Sequence, residues 1–190
     1  RIAVAGGSAG GHVAASTATL GKLAEETESN VNCTPNALIL YNPVCDTSML
    51  GYGGKRLGTR MRELSPVHSI HPHMPPTLVF HGDADKTVPL ENAVRFKRLM
   101  DEAGNACELV TYAGAGHGFF NPGRKDDQYD DTTRRLDEFL TKLGFLAPSD
   151  SSMIAGRSLE QWQSELQSDD ATARRRAAES IGQFGPLAAE

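Results

Sequence analysis

The chain has 190 residues, enough for one domain with a real core and a small appendage but too few for two full domains. Its 19 Lys and Arg against 24 Asp and Glu leave a formal charge of -5, which argues against a nucleic-acid footprint, and no apolar run is long enough to span a membrane. Cys33, Cys45 and Cys107 form no CxxC pair and are odd in number, so free thiols are expected rather than a disulfide framework or a zinc site.

Strand-like runs alternate with helical patterns along the chain. Ile2–Ala5 reads as a strand, a helix is predicted from about Gly11 to Glu26, and Ala37–Tyr41 is again a strand. From Cys45 to Pro76 the composition is rich in Gly, Pro, Ser and His, which suits a long loop or short helices over the strand ends. Thr77–His81 is the third strand. A helix near Glu91–Ala103 follows, with Phe96, Leu99, Met100 and Ala103 on one face and Gly104 as its stop. Glu108–Tyr112 is the fourth strand. A helix near Asp131–Leu143 then places Leu136, Phe139, Leu140 and Leu143 at i, i+3, i+4 and i+7. This order predicts the α/β class, a parallel sheet flanked by helices, over residues 1–146.

Residues 147–157 begin as a polar linker, and residues 158–190 shift towards Ala, Arg, Gln and Glu. Ser158 with Gln161 forms a capping-box pattern ahead of Leu159, Trp162 and Leu166. Asp169-Asp170 opens a second helix with Ala173, Ala177, Ile181 and Phe184 as its stripe and Gly185-Pro186 as its stop.

The strongest local signal is Gly6-Gly7-Ser8-Ala9-Gly10, a G-x-S-x-G between a strand and a helix. So tight a turn forces Ser8 into a strained backbone conformation. Gly6 and Gly10 let strand and helix approach, and the hydroxyl is presented at the tip. Ala9 then supplies a backbone N–H where an oxyanion would form. A phosphate loop is the competing reading, but neither G-x-G-x-x-G nor the lysine-containing loop fits, since Ser8 and Ala9 interrupt the first and His12 stands in place of the lysine.

A serine alcohol needs a base to take its proton and a carboxylate to orient that base. After the third strand, His81-Gly82-Asp83-Ala84-Asp85-Lys86-Thr87-Val88-Pro89 puts two carboxylates on a turn. After the fourth, Gly114-Ala115-Gly116-His117-Gly118-Phe119 puts a histidine on a loop. Together these segments resemble the α/β-hydrolase superfamily, specifically its hormone-sensitive-lipase-like and acetylxylan-esterase-like esterases, over about Arg1 to Leu146. The resemblance implies that Ser8 is the nucleophile, Asp85 the acid of H-G-x-x-D-x-x-V-P, and His117 the base of G-x-x-H-x-F. It also implies that the chain holds strands five to eight of an eight-stranded fold. The earlier strands, with a second oxyanion donor on an HGGG-like loop, would then lie upstream of Arg1. Residues 158–186 resemble one HEAT-type helical repeat, which implies further repeats beyond Glu190 and a protein partner for them.

Other residues weigh less. Asp83 reads as a turn former, Asp46 lacks the motif around the acid, and His12 is expected to pack or hydrogen-bond beneath the elbow. His68, His71 and His73 alternate with Pro and Ser without acidic support, so no metal and no cofactor are expected. The expected activity is hydrolysis of a carboxylic ester, with a small-molecule or carbohydrate ester as substrate. The rivals are a prolyl-oligopeptidase-like serine peptidase, against which Gly10-Gly11-His12 weighs, and an inert hydrolase remnant fused to a helical scaffold.

Overall fold

The computed structural model describes residues 1–20, 34–49, 51–124, 128–147, 153–154 and 157–183. Two compact units divide the chain, Arg1–Phe139 and Leu140–Glu190. Glu26, Cys33 and Phe184, which entered the sequence reading, lie outside the described residues.

The first unit is built on four strands, β1 (Ala3–Gly7), β2 (Ala37–Tyr41), β3 (Thr77–Gly82) and β4 (Cys107–Tyr112), all parallel and in the spatial order β1-β2-β3-β4. Among the described residues β1 pairs only with β2, through the register Ala3 opposite Ala37 to Gly7 opposite Tyr41. The inner strands are buried on both faces, which is why Ala-Leu-Ile-Leu and Thr-Leu-Val-Phe read as unbroken apolar runs rather than alternating ones. β1 alternates instead, with Ala3 and Ala5 exposed and Val4 packed on the core.

Helix α1 (Ala9–Thr19) follows β1 and buries Gly11, Ala14, Ala15 and Ala18. Small residues on that face let the helix lie close to β1 and β2; a side chain at Gly11 would strike Pro43. The segment between β2 and β3 holds one short helix, α2 (Gly54–Leu57), and two 3-10 turns, Gly58–Met61 and Pro66–His68, the short-helix form expected there. Helix α3 (Glu91–Glu102) buries Ala93, Phe96 and Met100 against the sheet, with Leu99 partly covered. It ends where Gly104 turns left-handed at φ 75 and Asn105 N–H reaches back to Met100 O, the stop its sequence predicts. Fully burying side chains such as Phe80, Phe96 and Leu38 contributes roughly 1.5–3 kcal/mol each before conformational entropy is set against it. Helix α4 (Tyr129–Lys142) differs from its predicted stripe: Leu136, Phe139, Leu140 and Leu143 stay half-buried, and Thr132 is its buried residue.

In the second unit, Met153–Ile154 (β5), inside the stretch read as linker, pairs antiparallel with Arg157–Ser158 (β6), which straddles the end of that stretch. Helices α5 (Leu159–Glu165) and α6 (Ala171–Gly182) follow. The capping box forms in both directions, Gln161 N–H to Ser158 Oγ and Ser158 N–H to Gln161 Oε1. Trp162 and Ala177 make the centre of a small core with Ile154, Leu159, Leu166 and Ile181.

Candidate active site

All four strands end on the same side of the sheet, and in open parallel sheets that rim is where ligands bind. Ser8 stands directly after β1, with φ 55 and ψ -118, a conformation costly for any residue with a side chain. Its neighbours over-determine it. Ser8 N–H donates to Tyr41 O at 2.9 Å, and Ser8 O accepts from Val44 N–H and, through the first turn of α1, from His12 N–H. A β-carbon on Gly6 would lie 2.2 Å from Gly10 O, so only glycine permits this approach of strand and helix. Gly10 itself meets nothing within 4 Å, so the crowding lies on Gly6 and Gly11. The Ala9 N–H belongs to the first turn of α1 and has no carbonyl of its own helix to reach.

His117 bridges the serine and the acid. Its Nε2 lies 3.0 Å from Ser8 Oγ and its Nδ1 lies 2.8 Å from Asp85 Oδ2. Asp85's side chain is fully buried, and its other oxygen accepts from Thr87 N–H at 2.8 Å and Val88 N–H at 2.9 Å. With the carboxylate on Nδ1–H, a neutral imidazole presents a bare Nε2 to the serine hydroxyl.

The His117 loop is gripped from two sides. Ala84 N–H donates to Ala115 O at 3.1 Å, and Gly114 N–H donates to Asp83 Oδ1 at 2.6 Å, so Asp83 ties the Asp85 turn to the His117 loop. Behind the loop an aromatic wall runs across the sheet: Tyr41 stacks on Phe80 at 5.0 Å and meets Phe120 at a tilt at 4.8 Å, and Phe119 sits edge-on to Phe120 at 5.7 Å. Each such pair contributes ~0.5–1.5 kcal/mol beyond area burial. Phe120 also lies over Gly7, where a β-carbon would come 2.8 Å from its ring.

The other candidates have separate partners. Asp46 is buried, which would raise its carboxyl, yet hydrogen bonds from Ser48 and the nearby Arg95 guanidinium hold it below the usual carboxylate range. His12 donates Nδ1–H to Val44 O at 3.0 Å, beneath the elbow. His71 engages the carbonyls of Pro72 and Ala18, and burial lowers the basicity of His68. Among the described residues no group of three His, Cys, Asp or Glu could hold a metal ion. Burial pushes the Cys45 thiol well up and that of Cys107 up to about 12, so neither is a nucleophile near neutral pH.

Two residues of this rim escaped the sequence reading. His81 is wholly buried, and burial keeps it neutral; its Nε2–H donates to Val88 O at 2.9 Å and lies 3.6 Å from Asp85 Oδ2. Asn42, the residue after β2, is also wholly buried and has φ 34; its Nδ2 lies 3.5 Å from His117 Nε2. It follows β2 as Ser8 follows β1, a position that puts it on the rim without announcing its partner.

A serine on a strained strand-to-helix turn, faced by a histidine and a buried aspartate at the rim of a parallel sheet, fits the α/β-hydrolase fold. Residues 1–143 match the prolyl oligopeptidase family, and the chain belongs to it. Among solved structures, the apo form of Thermogutta terrifontis esterase 2 is 47% identical with a TM-score of 0.70, over 78% of this chain and 57% of that one. The same enzyme phosphorylated by paraoxon matches at 47% identity and a TM-score of 0.69, over 78% and 56% of the two chains. The acetylxylan esterase of Xylanibacter ruminicola is 27% identical over 131 residues, 62% of this chain and 26% of that protein. The chain thus spans about a quarter of this curated relative and rather more than half of the solved esterase.

Proposed function

We propose that this protein is a serine hydrolase that cleaves carboxylic esters through an acyl-enzyme. The observation that carries the reading is the continuous line from Ser8 Oγ through the His117 ring to Asp85 Oδ2, with contacts of 3.0 and 2.8 Å. Ser8 attacks the acyl carbon while Nε2 takes its proton, and Asp85 holds the ring in the one tautomer that leaves Nε2 free. The Ala9 N–H receives the developing oxyanion, at the positive end of α1. Nε2–H then protonates the leaving alcohol, and a water activated by the same nitrogen releases the acid. A solved structure that the chain resembles at 47% identity is named an esterase, which supports ester over amide substrates. We assign residues 1–146 to catalysis and read residues 158–190 as a HEAT-like repeat offering a surface to a protein partner.

The test uses the full-length protein with p-nitrophenyl acetate and a fluorophosphonate probe. Ser8→Ala should lower turnover by about 10⁴–10⁶-fold and abolish labelling. Labelling that persists in the variant would show another nucleophile, and a wild-type protein that neither labels nor turns over would be an inert remnant. Family membership keeps a peptidase reading in view; aminoacyl-nitroanilides cleaved faster than the ester would favour it.

A further inference from the structure

We infer that Asn42 is a positioning residue for His117, whose side-chain amide serves as the second hydrogen-bond partner of Nε2 while the proton is in transit. The inference rests on Ser8 and His117 acting as nucleophile and base. Its starting point is an imbalance. Asn42 is 0% exposed, and its Oδ1 has no hydrogen-bond partner among the described residues. A buried amide oxygen left unpaired is destabilising, because it gives up hydrogen bonds to water without a replacement. Its Nδ2, at the other corner of the same amide, lies 3.5 Å from the ring nitrogen that also faces Ser8 Oγ at 3.0 Å.

The backbone explains why an asparagine can stand there but not why its amide is buried. At φ 34 the residue occupies the left-handed region, which Asn, Asp and Gly tolerate best, and Asn42 N–H continues the sheet by donating to Phe80 O at 2.7 Å. A turn former alone could leave its side chain in solvent.

The two faces of the amide match the two states of the ring. While Nε2 is bare, Nδ2–H points towards its lone pair, beside the serine hydroxyl. When the Ser8 O–H bond breaks and Oγ bonds the acyl carbon, the proton moves to Nε2, which becomes a charged donor. A half-turn about the Asn42 side chain exchanges Nδ2 and Oδ1. The oxygen without a partner in the resting state then accepts from Nε2–H and holds the imidazolium in line until the proton passes to the leaving alcohol. Asn42 itself neither gains nor loses a proton.

The experiment compares Asn42→Gly and Asn42→Asp in the full-length protein, with thermal unfolding as the control for folding. Glycine keeps the backbone angle and removes the amide, so kcat for p-nitrophenyl acetate should fall about 10- to 100-fold with KM within about twofold, the scale of one hydrogen bond to a charged group. Aspartate restores an acceptor at the same place and should recover turnover to within a few-fold of wild type. A glycine variant with wild-type kcat, or an aspartate variant as slow as glycine, overturns the inference. A purely structural asparagine predicts the first of these. Should the glycine variant not fold, the wild type decides: with ¹⁵N-labelled side-chain amides, phosphonylation of Ser8 should shift the Asn42 Nδ2 resonance, and an unmoved signal refutes the turn of the amide. A wild type that takes up no fluorophosphonate removes the reading of Ser8 and this inference with it, whereas a labelling wild type with an indifferent Asn42 removes only the latter.

Discussion

Gly82, the last residue of β3, has no room for a side chain: a β-carbon there would lie 2.2 Å from Ala115 O, the carbonyl that accepts from Ala84 N–H. The turn that carries Asp85 and the loop that carries His117 therefore touch backbone to backbone. Gly82→Ala should push the two apart, with a stability loss of ~1–3 kcal/mol typical of overpacking. Because small misplacements of a reacting group are costly, kcat should fall by about 10²-fold. Urea unfolding and ester hydrolysis check the two halves of this prediction, and a variant with normal turnover would show that the loop position tolerates the strain.

Asp85→Asn tests the orienting role proposed for this carboxylate. The amide can offer its nitrogen to His117 Nδ1, which favours the tautomer that carries its proton on Nε2, facing Ser8. Turnover should drop by about 10⁴-fold while the fold persists. Both measurements are needed, because two backbone N–H groups, from Thr87 and Val88, also depend on this side chain.

Phe120→Ala removes the ring that lies over Gly7 and packs on Tyr41 and Phe119. Losing these half-buried contacts should cost ~1–3 kcal/mol, and the freed loop should reduce kcat more than it raises KM. Steady-state kinetics beside thermal unfolding would separate the two effects.

Asp131 predicts how stability responds to acid. Hydrogen bonding from Arg135 comes first, opposed by burial and joined by Arg134 and Tyr112, and the carboxyl is held down at about 2. An aspartate in an unfolded chain titrates at about 4. The folded value is the lower one, so the stabilisation is fully present above about pH 4 and is lost as pH falls through about 2. The stability gap between wild type and Asp131→Asn should therefore be constant near neutrality and close across that window. A gap that is unchanged at pH 2 would exclude this carboxylate as its source.

Much of the rim was legible because tight turns demand particular residues. Gly6 and Ser8 at the elbow, Asp85 after β3 and His117 after β4 each sit in a short motif whose spacing can be read locally, and the chain brings the last three within hydrogen-bond reach. Contacts between distant segments left no such trace. Nothing in the neighbourhood of Asn42 announces a ring nitrogen from a loop 75 residues later, and no local pattern couples Gly7 to Phe120 or Gly82 to Ala115. Periodicity likewise located the apolar face of α4 but not its depth. A stripe at helical spacing tells which side turns inward, whereas burial depends on what the rest of the fold lays over it.

Trp162 is the chain's single tryptophan, and it lies in the second unit. Its indole N–H donates to Ile154 O at 2.9 Å, and the Arg157 guanidinium stands 4.8 Å above the ring. Light absorbed selectively by indole therefore reports only on the second unit. A melting curve recorded from that emission follows α5 and α6, while the ester turnover proposed for the first unit would follow the sheet that carries Ser8, so the two parts of one polypeptide would come with their own separate optical and chemical gauges.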